Sequence, residues 1–510
     1  MTARLGLLAV LIGVGMGASS TLPAQTVTVT TAADVIDIPV STGTIADLPG
    51  PDGKVSFSEA MIATNNTPGL QTVAFAIPQS EWTLQFLFPG RAVLTSITGF
   101  YFRAFDEVII DGTTQTVFTG DTNPNGGEVT IYQSDLFLIA DNCTLIGFDS
   151  TDVFVTGSGS LVEGNTGSMN IEVSGAGHTV RNNTGGTVAI DHGDECMIVG
   201  NVFQRMRVLG PAANAVIGGP ALTDRNHFTG YGFWNSQGLP AGTAVQIVDT
   251  DNLLLENNWI GTTTDGLASG NDATTIGIRL EGENTNTVIR NNRIAGVLGQ
   301  GLSVYAGQVF GWAIQIGGAG SGIELVGNTV GLDADGEPTL GSVWGIDGGD
   351  AFPTTATDIT IGGTAPGEGN VIAGHSANGV TVAEDVDQVR ISGNSIYENG
   401  ALGIDLVPVT FGYGVTPNDP LDADVGGCGL QNFPEIELAT PVLGGLLIVG
   451  GSRVPPSMSS RSSSSGARRV TIRDTVRAPT SSARRRSPRM PTDSRRSTSC
   501  FRSRSRAGGR

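Results

Sequence analysis

Apolar positions between residues 25 and 450 come in short, mostly β-branched segments, among them Val245-Gln246-Ile247-Val248, Leu253-Leu254-Leu255 and Ile359-Thr360-Ile361, separated by Gly, Asn, Thr and Asp. Segments this short, bounded by turn residues, predict strands and leave little room for helix. Between residues 160 and 220 the pattern has a fixed interval. Val162, Val180, Ile198 and Val216 stand 18 apart, and Asn165, Asn183 and Asn201 keep the same step. A repeat of about 18 residues is too short for a strand-helix unit. It suits a coil of three short strands joined by tight turns, stacked parallel on its neighbours. The 74 glycines and many asparagines, which tolerate positive φ, supply the turns.

Two longer phrases recur on top of this step. Ile217-Gly218-Gly219 leads after nine residues to Asn226, and Ile361-Gly362-Gly363 leads after nine to Asn370. Asn258-Trp259-Ile260-Gly261, ending in Asp265-Gly266, returns at identical spacing as Asn328-Thr329-Val330-Gly331, ending in Asp335-Gly336. The asparagines Asn165, Asn183, Asn201, Asn258, Asn292, Asn328 and Asn394 are expected to form a structural ladder, stacked amides bonding from rung to rung and satisfying a buried turn.

Composition divides the chain. Residues 1–24 read as a signal peptide: Arg4, an apolar run from Leu5 to Met16 too short to span a bilayer, and a cut near Ala24. Residues 1–450 carry a net charge of −34 and residues 451–510 a net charge of +14, which together give −20. The Arg/Ser-rich tail, 451–510, has too little apolar content for a core and is expected to be disordered. A nucleic-acid arm is disfavoured by the acidic body and the near absence of aromatic residues in the tail. A shifted reading frame is the simpler account. Cys143 and Cys196 lie 53 residues apart, nearly three rungs, which places their backbones about 14 Å apart and beyond disulfide reach.

The segment Asp52-Gly53-Lys54-Val55-Ser56-Phe57-Ser58-Glu59-Ala60 resembles the Cys-Ser-Leu-Arg-Glu-Ala segment of CSLREA-type secreted bacterial β-helix proteins, keeping Ser56, Glu59 and Ala60. The Ile-Gly-Gly phrases and the stretch from Val415 to Pro434 are similar to that group too. The resemblance implies an all-β, right-handed parallel β-helix of pectin-lyase-like fold, and no settled activity. It divides the chain into a cap region at 25–90, the β-helix at 91–410, and a loop and strand region at 411–450. Ser56 to Glu59 has capping-box spacing, and Phe57, Met61 and Thr64 share a helical face, so this helix is expected to plug the open end of the solenoid.

Candidate chemistry is sparse. Asp191-His192-Gly193-Asp194 is the nearest fragment to a polygalacturonase pattern, whose other elements are missing, and His178, His227 and His375 are isolated. Counting back seven residues from ladder asparagines gives Asp194, Asp251 and Asp387, a possible acidic edge that calcium would relieve or that is simply turn chemistry. Asp422-Ala423-Asp424, with Asn418 and Asp419 upstream, offers alternating hard oxygens and is the better calcium loop. Tyr231, Phe233, Trp234, Trp259, Tyr305, Phe310, Trp312 and Trp344 form either a sugar-stacking surface or a stack inside the coil.

These readings favour a secreted or cell-surface module, structural or binding, whose partner is a polysaccharide or cell-surface glycan, with neither nucleic acid nor a membrane span. A polysaccharide lyase or glycoside hydrolase is the alternative, and it requires outward carboxylates beside Arg279, Arg290 or Arg390. An adhesin or passenger repeat is another.

Overall fold

The computed structural model describes residues 24–96, 102–234, 240–298, 311–349, 355–384, 386, 388–409, 412–419, 424–433, 435–442 and 445–451. The expected signal peptide and nearly all of the tail therefore lie outside the described residues. Thirty-two strands join in one continuous parallel network, and the chain is a right-handed parallel β-helix. Each rung contributes to three faces. The first carries the strand before a ladder asparagine, such as Leu161–Glu163, Thr179–Arg181 and Met197–Val199. The second carries the strand after it, and the third the longest strands, among them Ile276–Glu281 and Trp312–Ile316. A separate unit begins at Phe433 and contains an antiparallel pair, Glu435–Val442 with Gly445–Gly451.

The stack begins at Gln25–Val29, which pairs with Gln71–Phe75, so a rung already stands within the region read as a cap. Helix α1 (Phe57–Asn65) is inserted between these two strands. Ser56 Oγ accepts the Glu59 N–H, and the Glu59 carboxylate accepts the Ser56 and Asp37 N–H groups. Burial raises the Glu59 pKa, and the two N–H bonds oppose that shift. Phe57, Met61 and Thr64 are buried, with the Phe57 ring 4.5 Å from Phe102 and 5.6 Å from Phe75. The helix thus covers apolar side chains of the first rungs.

The interior is a column of aliphatic residues. Val162, Val180 and Ile198 stack in register, but the next member is Ile217, not Val216. Between Leu209 and Ala212 the register shifts, adding one residue to that rung. Because side chains alternate faces, a one-residue slip exchanges inward for outward, so Val216 leaves the core position and Ile217 takes it. Cys143 and Cys196 are free and fully buried, and burial pushes the Cys143 thiol up to about 11.

At the corner between the first and second faces, the side-chain amide of Asn165 donates to Asn183 Oδ1, and the relay continues through Asn201, Asn226, Asn258, Asn292, Asn328 and Asn370 to Asn394 at 2.9–3.2 Å. The same Oδ1 atoms accept the preceding rung's backbone N–H, as in Asn183 N to Asn201 Oδ1 at 2.8 Å. Asn226 and Asn370 complete the ladder. They escape a count by interval because each follows an Ile-Gly-Gly loop, braced by Asp224 or Glu368 accepting the N–H of Ala221 or Ala365. Immediately before most ladder asparagines the backbone is left-handed, at Gly164 (φ 64), Asn182 (φ 57) and Gly200 (φ 68) for instance, and Gly or Asn tolerates this best.

Two predictions follow from this packing. Asn201→Ala leaves the buried Asn183 N–H and Nδ2 without their shared acceptor and removes the amide donor to the Val180 carbonyl, so it should lower stability by about 2–4 kcal/mol, read as a fall in the urea midpoint. His375 is 1% exposed, with Nδ1 accepting the Ser342 N–H at 3.2 Å, and burial lowers its pKa to about 4. Its folded pKa lies below the unfolded value near 6.5, so protonation favours the unfolded chain. This contribution to stability is full above pH ~6.5, falls as pH drops toward about 4, and amounts to roughly 3 kcal/mol. His375→Asn should show a shallower loss than the unmodified protein in urea midpoints between pH 7.5 and 4.5. Parallel slopes would contradict the assignment.

Candidate functional site

A strand that is buried on one side and continuous across many rungs presents every second side chain outward. On the third face, Arg103, Phe137, Phe154, Glu172, Ala189 and Arg207 stand in register, followed by Gln246, Arg279, Gln315, Asp347, Thr381 and Asp405. Their strand neighbours, such as Met206 and Val208, Ile278 and Leu280, or Ile314 and Ile316, are in the core. This column is a continuous run of chemically varied side chains, partly exposed from Arg103 to Arg279 apart from Ala189.

Its parts differ along the axis. Near the N-terminal end the Phe137 and Phe154 rings stack at 4.9 Å and 14°. In the middle, Arg205 Nη2 donates to Gln246 Oε1 at 2.8 Å, Gln246 Nε2 donates to Glu281 Oε2 at 2.6 Å, and Arg279 Nη2 pairs with Glu281 Oε1 at 2.6 Å. The Arg205 guanidinium lies 5.0 Å from the Tyr231 ring centre. Burial, then the neighbouring Arg207 charge, holds Arg205 below the usual arginine value. Three residues before Gln315 and Asp347, Trp312 and Trp344 stack at 5.4 Å and 15°. Both indoles are partly exposed at the start of their strands, two residues before the core residues Ile314 and Ile346.

Toward the C-terminal end the column is polar yet buried: Gln315 and Asp405 are 2% exposed, Asp347 and Thr381 1%. The Gln315 amide has neither its nitrogen nor its oxygen hydrogen-bonded. Asn378 Nδ2 donates to Asp405 Oδ2 at 2.9 Å, and the Gly414 N–H reaches the same oxygen at 3.0 Å. Asp347 and Asp405 share the column with Thr381 between them, which sets their backbones about 10 Å apart.

The residues singled out from sequence fall elsewhere, apart from Arg279, Tyr231, Trp312 and Trp344. Arg290 forms a two-pronged pair with Glu256 on the first face, and Arg390 lies on that face beside Thr360. Trp259 is on the second face, with Arg225 at 4.6 Å and Arg293 at 5.5 Å from its ring centre. Asp194 and Asp251 occupy one edge with Ala213 between them, and each engages the next rung. Asp194 accepts the Ala213 N–H at 2.8 Å, and Asp251 accepts Thr285 Oγ1 at 2.5 Å. The bonds from Thr285 and Asn286 hold Asp251 below the usual carboxylate range. Asp387, Tyr305 and Phe310 lie outside the described residues, as do the side chains of Phe233 and Trp234. Asp424 lines an open cavity of about 630 Å³ with Tyr413, Pro408 and Leu430. Asn418 lies in the neighbouring described stretch, and Asp419 pairs through its N–H and C=O with the Asn432 side chain. Asp422 lies outside the described residues. Among the described residues, no group of three or more His, Cys, Asp or Glu side chains is arranged to hold a metal ion.

The column was missed because its members share no residue type. Its signature is the triplet with an apolar residue on each side, as in Ile171-Glu172-Val173, Met206-Arg207-Val208, Val245-Gln246-Ile247 and Ile404-Asp405-Leu406.

No protein-family model matches this chain, and no curated protein does. Among solved structures, the chain is similar to tailspike protein 3 of bacteriophage CBA120 at 11% identity and a TM-score of 0.32, over 76% of this chain and 53% of that one. It therefore spans about half the length of that tailspike. It is similar to the Dettilon tailspike protein at 11% identity and a TM-score of 0.32, over 84% of this chain and 78% of that one. PfbA, a surface adhesin of Streptococcus pneumoniae, is similar at 7% identity and a TM-score of 0.29, over 77% of this chain and 96% of that one. No helix among the described residues is long and apolar enough to cross a membrane.

Proposed function

We propose that the protein binds an elongated polysaccharide along the outer face of the third sheet, as a secreted or cell-surface β-helix. The fold itself licenses no activity, so the reading rests on the site. What supports it is the partly exposed stretch of the column from Arg103 to Arg279, with the partly exposed Trp312 and Trp344 stack in the rungs that follow. Rungs about 4.8 Å apart make the eight positions from Arg103 to Arg279 roughly 34 Å long, a length that fits a polymer better than a small molecule. Flat indole faces pack against the C–H faces of sugar rings, and interleaved amide, carboxylate and guanidinium groups meet their hydroxyls. Export rests on Arg4 and the apolar run from Leu5 to Met16. Membership of the CSLREA-type group rests on Ser56, Glu59 and Ala60, the first two of which form the capping box.

A second reading, glycoside hydrolysis, is favoured by one observation. Asp347 and Asp405 stand two rungs apart in one column, a pair of carboxylates of the kind such hydrolysis uses.

Affinity electrophoresis against a panel of neutral and acidic polysaccharides tests both. The unmodified protein should be retarded by at least one polymer, and Trp312→Ala combined with Trp344→Ala should weaken that binding about tenfold or more while the melting temperature stays within a few degrees. Retention of full affinity in the folded double variant would contradict the binding surface. Release of reducing ends from the bound polymer, lost in Asp405→Asn with binding kept, would establish hydrolysis.

A further inference from the structure

Resting on the polysaccharide reading, we propose that Arg205 and Arg207 form an anion-binding subsite within that surface, which selects glycans bearing carboxylate or sulfate groups. The two arginines stand two residues apart on one strand, Val202–Ala213, and therefore on the same face. Neither forms an ion pair among the described residues, whereas Lys54, Arg91, Arg181, Arg279 and Arg290 each hold a carboxylate. The Nε of Arg205 and of Arg207 are both buried without a hydrogen-bond partner.

Two like charges on one half-buried patch repel, and a chain carrying 48 Asp and Glu residues pairs neither with a carboxylate among the described residues. The carboxylate facing them is Glu281, and it is already shared between Arg279 and the Gln246 amide. Arg205, Arg207, Arg279 and Glu281 thus leave two positive charges in excess. On the other side of Arg207 the column holds Ala189, which offers no side-chain donor or acceptor. The Tyr231 ring beneath Arg205 and the bond from Arg205 to Gln246 fix the guanidinium in place. An oxyanion on a bound sugar would take the open guanidinium N–H groups in charge-assisted bonds. The net negative body does not forbid this. Charges farther than about 8 Å are largely screened at physiological ionic strength, and the contact pair is not.

The test uses the full chain and three polymers: polygalacturonate for carboxylates, dextran sulfate for sulfate esters, and uncharged dextran. The unmodified protein should bind at least one charged polymer more tightly than dextran, with an affinity that falls as salt rises, and which polymer is preferred identifies the anion. Arg207→Gln, which removes no hydrogen bond among the described residues, and Arg205→Gln with Arg207→Gln should weaken that binding at least tenfold, and by a larger factor than any loss of dextran binding. Arg205→Lys with Arg207→Lys keeps the charge and should recover part of the loss. Equal affinity for charged and uncharged polymers, or full affinity for the charged polymer in folded Arg207→Gln, overturns the subsite while leaving the polysaccharide surface intact. Binding of none of the three polymers, nor of any polysaccharide in the wider panel, overturns both.

Discussion

The side-chain amide of the ladder asparagine is the interaction on which the stack depends. Where the chain turns from the first face to the second, the backbone leaves the sheet ladder and its N–H enters the interior, where an unpaired polar group is costly. From Asn183 to Asn394 each Oδ1 accepts both the N–H and the Nδ2 of the preceding rung's Asn, and each Nδ2 also donates to a carbonyl of the preceding rung's first-face strand, as Asn183 does to Val162 and Asn258 to Ile217. Aspartate has the right shape but no donor. Glutamine has the donor, with an extra methylene that displaces it. Only Asn satisfies the corner, and doing so at every rung locks each new rung to the last.

The register fixed at that corner has a consequence on the opposite side of the coil. With the corner pinned, the third face aligns the centre of each apolar triplet, and side chains distant in sequence become neighbours: Arg207 and Gln246 are 39 residues apart, Gln315 and Asp347 are 32 apart, and both pairs are adjacent. The loops between rungs change length without disturbing this alignment, because the corner resets it each time. A surface of this kind can vary in chemistry one position at a time while the core stays aliphatic. That separation of duties places the candidate site outside the sheet rather than inside the coil.

Much of the fold was legible in the sequence because the corner demands one residue type. Asn165, Asn183 and Asn201 show it through an 18-residue step, and the paired Ile-Gly-Gly phrases show it again after the rungs lengthen. The step fails at Val216 because a single extra residue enters the strand before it, and a spacing count cannot see a bulge. The candidate site was barely legible. Nothing requires Arg207, Gln315 and Asp405 to be alike, so no repeat marks them, and the Arg205–Gln246–Glu281–Arg279 network exists only once three rungs are stacked. Conspicuous acidic residues such as Asp194 and Asp251 proved to be fastened to neighbouring rungs, as turn chemistry predicts for carboxylates beside free N–H and hydroxyl donors.

Hydrogen exchange at the ladder amides is the most direct measurement of this account. The backbone N–H groups of Asn183, Asn201, Asn226 and Asn258 should exchange only through the largest opening events of the solenoid, slower than the turn amides of Asp265 to Leu267, and removing the Asn201 amide should speed exchange at Asn183 as well as in the rungs beyond it. Ladder amides that exchange as fast as those turn amides, or an Asn201→Ala effect confined to its own residue, would show that the asparagines do not couple one rung to the next.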